Sequence, residues 1–155
     1  MASAFDCNQP PRMQFHDPAA LVREYVRRDS LGMILEPDVH LLDLVACDLR
    51  ISGSEYKVLA SLKQLVPVAT TRDTARFLAI YHVYGETAEA GTGLVFEPAP
   101  RTDTAEIVTV HSRWGWRLAN FEVPHIAPKA YLRVMRGVWK IKNPQDLSAV
   151  VRRTP

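Results

Sequence analysis

Apolar residues recur at helical spacing near both ends of the chain and at strand spacing in between. Leu21, Val22, Tyr25 and Val26 form one apolar stripe, which predicts a first helix. Asp17 can cap its free amides, Pro18 fits the first helical position, and Gly32 closes the helix near Ser30. Arg23, Glu24, Arg27 and Arg28 take the wet side. Pro37 opens a second short helix whose wide apolar face is Leu41, Leu42, Leu44, Val45 and Cys47, with Asp38 and Asp43 exposed. A turn follows at Ser52-Gly53-Ser54.

The period then falls to two. Tyr56 to Thr71 reads as one long strand, bent, bulged or at the sheet edge at Pro67, which lacks a ladder donor. After a turn at Thr71-Arg72-Asp73, Thr74 to Gly85 is the clearest strand. Phe77, Ala79, Tyr81 and Val83 lie on one face, and Leu78, Ile80, His82 and Tyr84 on the other, so both faces are expected to be covered. Glu86 to Arg101, broken by Gly91, Gly93, Pro98 and Pro100, reads as a mobile loop with Leu94, Val95 and Phe96 as a short strand or lid. Thr104 to Val123 is the strongest hairpin signal: β-branched Ile107 to Val110, a tight turn at Arg113-Trp114-Gly115-Trp116, and a return strand stopped by Pro124. On its first strand Ala105, Ile107, Thr109 and His111 share a face.

Helical spacing returns after Ala127. Pro128 starts a helix with Tyr131, Leu132, Met135 and Val138 as its stripe and Lys129, Arg133 and Arg136 outside. Asn143-Pro144 caps a last helix carrying Leu147, Val150 and Val151, with Arg152 and Arg153 at its end. Helices, then hairpins, then helices is an α+β order. The expectation is a curved antiparallel sheet of about four to six strands packed on the N-terminal helices, with extra C-terminal helices. Residues 1–16 form a flexible leader and 17–155 a single domain.

A chain of 155 residues with 47% hydrophobic and 23% charged positions suits one sizeable core. A net charge of +2, with only Arg27-Arg28 and Arg152-Arg153 as basic doublets, gives no footprint for nucleic acid. No apolar run approaches the roughly 18 residues of a membrane span. The start, MASAFDCNQPPRMQF, has no basic and no apolar signal region. That fits a cytoplasmic chain and an exported chain with its signal removed alike. Cys7 and Cys47 are too few and too far apart for a zinc motif, and would pair only if the leader folded back in an exported protein.

The helix containing LVREYV, the long strands and the hairpin ending in GWRLANFEVP resemble the nuclear transport factor 2-like superfamily, which includes ketosteroid isomerases and polyketide-cyclase-like proteins. The resemblance runs from Pro18 to Pro124. It implies a cone-shaped α+β fold around an apolar cavity and a homodimer through the outer sheet face. The helices from Ala127 onward lie beyond that core. It also places Tyr25 where ketosteroid isomerases hold an oxyanion-donating tyrosine. The general base of those enzymes falls at Ser52-Gly53-Ser54, with Glu55 just beyond. Their second acidic donor falls near Thr109 and His111. That constellation is therefore not carried over.

A cofactor-free acid–base reaction needs titratable groups in a dry hollow. The candidates are Tyr25, His82 and His111, with Tyr84 on the face of His82. Tyr25, Tyr81, His82, Tyr84, His111 and Trp116 are the expected lining of a pocket for a small apolar molecule. His40 reads as an exposed or core-edge residue. The five histidines are dispersed and the chain has no GxGxxG and no GxSxG, so no metal, nucleotide cofactor or serine nucleophile is expected. Binding of a small apolar ligand or a protein partner ranks above catalysis by an isomerase, dehydratase or cyclase mechanism.

Overall fold

Asp17 caps the first helix. Its carboxylate accepts a hydrogen bond from the Ala19 amide (3.1 Å), and helix α1 runs Pro18–Ser30. Gly32 follows with φ 72, a left-handed conformation that glycine adopts without a Cβ clash. The computed structural model describes residues 8, 10–33, 41–46, 57–91, 93–120, 122–135 and 140–154. Cys7, Pro37, Asp38, His40, Cys47, Ser52, Gly53, Ser54, Glu55, Tyr56, Arg136 and Val138, used above, lie outside the described residues. Of the second helix, the described part is a single 3-10 turn, Leu42–Leu44.

The sheet strands are β1 (Lys57–Thr70), β2 (Thr74–Ala90), β3 (Gly93–Ser112), β4 (Gly115–Leu118), β5 (His125–Ile126) and β6 (Lys140–Ile141). Helices α2 (Pro128–Met135) and α3 (Pro144–Arg153) alternate with the last strands. The order is β4-β3-β2-β1-β5, with β6 against the start of β3. β1 to β4 form an antiparallel meander, but β5 joins β1 and β6 joins β3 in parallel. The sheet is therefore mixed rather than purely antiparallel, and it is curled. The expected loop from Glu86 to Arg101 is instead the end of β2 and the start of β3, paired from Glu86↔Glu97 to Ala90↔Gly93. Gly and Pro there mark a turn at Gly91 and a strand edge rather than a break. The second hairpin turns on Arg113-Trp114, with Ser112 opposite Gly115 (φ 88), and its return strand ends at Leu118, well before Pro124. Phe15, in the leader, is buried, and its carbonyl accepts from the Trp116 amide (2.8 Å).

One irregularity organises the core. Val83 pairs with Ala60 and Arg101, while Gly85 pairs with Leu59 and Pro98. Two steps along β2 thus match one step on β1 and three on β3. Facing alternates with every residue, so the two odd steps exchange the buried face of the sheet. On the Val83 side, Phe77, Ala79, Tyr81, Ala105 and Ile107 pack with Leu21, Val22, Tyr25 and Val26 of α1. Past Gly85, Leu59, Leu94 and Phe96 turn the other way and pack with Tyr131, Leu147 and Val150 of α2 and α3. Each face is covered at one end of the sheet, so between Thr74 and Gly85 only the face of Phe77, Ala79, Tyr81 and Val83 is covered, not both as expected. Over the Val83 end of β2 the outer face keeps His82 exposed and Leu78, Ile80 and Tyr84 half-buried.

Arg28 departs from the expected wet side. It is 7% exposed, held by Glu24 (2.8 Å) and by Asp43 (2.6 Å) beside the 3-10 turn. Seven residues from Leu21, it continues the same helical stripe. Asn143 precedes α3 without a side-chain cap; its amide group accepts from the Phe96 amide (2.9 Å) and donates to the Phe96 carbonyl.

Candidate functional site

Tyr25 and Asp29 are four residues apart on α1, so both point to the sheet. Asp29 is 2% exposed, and its Oδ2 accepts a hydrogen bond from the backbone amide of His125 (2.9 Å). Burial pushes its carboxyl up to about 7, against the pull of that amide and of Lys57. Tyr25 is buried too. Loss of hydration raises its phenol well above the ordinary range, the Asp29 charge adds to this, and the Glu122 amide hydrogen-bonds its oxygen in opposition. Burial likewise raises the Tyr81 phenol, with Asp29, Asp103 and Glu122 reinforcing it. Glu122, half-buried, is raised by the same desolvation and lowered by His125.

His125 joins these groups. The Val58 amide donates to the Pro124 carbonyl (3.0 Å) and the Ala127 amide to the Ser30 carbonyl (2.9 Å), which fixes β5 between β1 and the end of α1. Strand β1 lies between β5 and β2, and its residue opposite Val83 is only Ala60. The small side chain leaves room for the imidazole to reach the next strand. The ring stacks on Tyr81, with centroids 4.1 Å apart and planes within 12°. Its Nε2 lies 3.1 Å from Oδ2 of Asp103, whose register partner on β2 is Tyr81. The other Asp103 oxygen accepts from the Thr104 amide (3.0 Å). The Asp103 side chain is 37% exposed and that of His125 only 5%, so Asp103 is the end of the network that meets solvent.

Of the residues expected from sequence, Tyr25 and Tyr81 belong to this cluster. His82 does not: one position from Tyr81, it faces the opposite side of the sheet, exposed and edge-on to Tyr84 (4.8 Å). The Tyr84 hydroxyl lies 3.1 Å from Ser61 Oγ, away from α1. His111 shares the face of Ile107 but sits exposed at the hairpin end, 5.2 Å from buried Trp116. Alternation thus separates His82 from His111, and the expected meeting of the two histidines with Tyr25 does not occur. Thr109 is a structural residue whose hydroxyl donates to the Ala75 carbonyl (3.0 Å).

Asp29, Asp103 and His125 were missed, and two of them carried a signal. Asp29 stands four residues after Tyr25 on the apolar stripe, and Asp103 extends the alternation of Thr109, Ile107 and Ala105. His125 had none, because β5 is two residues long. Among the described residues no three His, Cys, Asp or Glu side chains converge on a metal position, and no helix is long and apolar enough to cross a membrane.

What the arrangement offers is proton chemistry. A carboxyl that titrates near neutrality is hydrogen-bonded to the backbone of a histidine. The ring of that histidine is paired to a second, solvent-facing carboxylate, and two phenols stand alongside. Comparison of the chain with protein-family models, with curated proteins and with solved structures finds no match.

Proposed function

We propose that this domain is a cofactor-independent acid–base enzyme of the nuclear transport factor 2-like kind, acting on a small, mostly apolar carbonyl or hydroxy compound at the solvent-facing Asp103–His125 pair. The reaction class is proton transfer at carbon, as in an isomerase, dehydratase or cyclase. The observation that carries the proposal is Asp29: a carboxyl 2% exposed and titrating at about 7, tied to the Asp103–His125 pair. A pocket that only binds an apolar molecule has no need of such a group, which weakens the fold at neutral pH. Perturbed carboxyls next to a histidine are instead what acid–base sites are built from. This reverses the ranking drawn from sequence, where the carboxylates had not been seen. The order of helix, long strands and hairpin supports the family resemblance.

In this reading Asp103 and His125 form the proton-accepting pair at the solvent side, and Tyr81 holds the imidazole by stacking. Tyr25 and neutral Asp29 are the buried donors. The test is solvent-deuterium incorporation into small cyclic ketones and β-hydroxy ketones without added cofactor. Wild-type protein exchanges the carbon next to the carbonyl, and Asp103→Asn loses about 10²-fold or more, the usual share of a general base. A folded wild-type protein that exchanges no probe above the buffer rate contradicts the proposal.

A second reading, a homodimer through the outer sheet face, is supported by half-buried Val66, Leu78, Ile80 and Val108 on that face. Light scattering tests it: Ile80→Lys converts a dimer to a monomer, and an unchanged mass in both proteins rules it out.

A further inference from the structure

Two residues before Asp103, strand β3 carries Arg101 on the same face. Their register partners, Val83 and Tyr81, both lie on the buried face toward α1. Successive same-face residues of a strand stand about 7 Å apart. The two side chains are open to solvent to the same degree, 35% for Arg101 and 37% for Asp103.

An irregularity of the strand aims Arg101. From Pro98 to Arg101 β3 takes three steps while β2 takes two, Gly85 to Val83, and Ala99 and Pro100 have no register partner on β2. Proline fixes φ at Pro98 and Pro100 and has no amide to give the ladder, so the bulge is stiff. The Ala99 carbonyl accepts a hydrogen bond from Arg101 Nη1 (3.4 Å), and Glu86 Oε1 lies 3.0 Å from the same nitrogen. Glu86 pairs in register with Val58, and Val58 with His125, so the ion pair stands on the cross-strand row that carries the imidazole. Both contacts fall on Nη1. Among the described residues Nε and Nη2 make no hydrogen bond. That edge of a guanidinium takes a carboxylate through two parallel hydrogen bonds.

We propose that Arg101 is a substrate-binding cation of this site and that the substrate carries a carboxylate. The substrate class is a short keto acid or the corresponding hydroxy acid. Its acidic C–H meets the Asp103–His125 pair while its carboxylate lies on Nε and Nη2 of Arg101. The choice of a keto acid rests on the acid–base reading of that pair; the carboxylate site itself does not. One guanidinium flanked by Glu86 and Asp103 matches a singly charged anion. It disfavours a phosphate group, which carries nearly two charges at neutral pH.

Levulinate, a keto acid, and its methyl ester, the same ketone without the charge, test this through solvent-deuterium exchange and through binding. Wild-type protein exchanges levulinate with a KM about tenfold or more below that of the ester, the share of a charge-assisted pair. Arg101→Gln raises the levulinate KM by about that factor and changes kcat and exchange of the ester little. Arg101→Lys does not restore the preference, because a point charge lacks the fork. Glu86→Gln removes a like charge beside the anion, so levulinate binds more tightly. Loss of an ion pair that only holds the strands together would instead weaken both variants alike. Binding is read independently from the nitrogen NMR signal of the Arg101 side-chain N–H, which moves on adding levulinate and not on adding the ester. An ester bound as well as the acid, an equal effect of Arg101→Gln on both probes, a parallel weakening in Glu86→Gln, or an unmoved Arg101 signal overturns the proposal. Levulinate that moves the Arg101 signal without exchanging deuterium upholds the carboxylate site and contradicts the acid–base reading, so the two fail separately.

Discussion

Replacing Asp29 by Asn should make the domain more stable at pH 8 relative to pH 5. Asp29 is raised from 3.8 to about 7 by burial. A carboxyl raised on folding binds more protons in the native than in the unfolded state between those values. Stability therefore falls as pH rises through that window and is constant above it. From pH 5 to about 7 the loss is two pH units, or roughly 3 kcal/mol at 1.36 kcal/mol per unit. Glu24 acts in the opposite sense: held at about 2 by Arg27, desolvated, and bonded also by Arg28, it stabilises fully above its ordinary 4.5 and loses that contribution only as pH falls below it. It is thus silent between pH 5 and 8. The assay is urea denaturation of wild type and Asp29→Asn at both pH values, taking the difference between the proteins so that other titrating groups cancel. Wild type loses about 3 kcal/mol more than the variant over the interval, equivalent to a Tm difference of roughly 6–12 °C for a chain of this size. Parallel loss in the two proteins would refute the burial argument.

Two further substitutions test the switch between cores. A Cβ at Gly85 would lie 2.7 Å from the Phe96 ring and closer still to the Glu97 carbonyl oxygen, a backbone atom fixed in the β2–β3 ladder. Gly85→Ala should therefore cost about 3 kcal/mol, the upper end for overpacking, measured by chemical denaturation; a loss under about 0.5 kcal/mol contradicts it. Asn143→Ala leaves the Phe96 amide and carbonyl without their side-chain partners at the sheet edge. It should cost about 2 kcal/mol, and calorimetry showing an unchanged Tm counts against the role given to Asn143.

Much of the architecture was legible because its determinants are local. Asp17 and Pro18 announce α1, and the alternation from Phe77 to Val83 announces β2 and its buried face. The reach of β2 and β3 past Gly85 was not legible. Glycines and prolines that usually break strands are tolerated there, since Asn143 and β6 bond the outer edge of β3 and α3 covers its side chains. Within the site, the tyrosines announced themselves as aromatic residues on apolar stripes. Asp29 and Asp103 occupied equivalent positions but were not singled out, and helical spacing would have placed Asp29 and Arg28 inside. His125 depends on a crossing over Ala60 between strands distant in sequence, which no local pattern encodes.

Everything assigned to the site rests on Asp29 keeping its proton at pH values where free aspartate has lost it. Carbon-13 NMR of the Asp29 carboxyl across pH 3 to 9 reads this directly. The account predicts a titration midpoint near 7. A midpoint near 4 would mean that the carboxyl is hydrated, and the acid–base site would not stand.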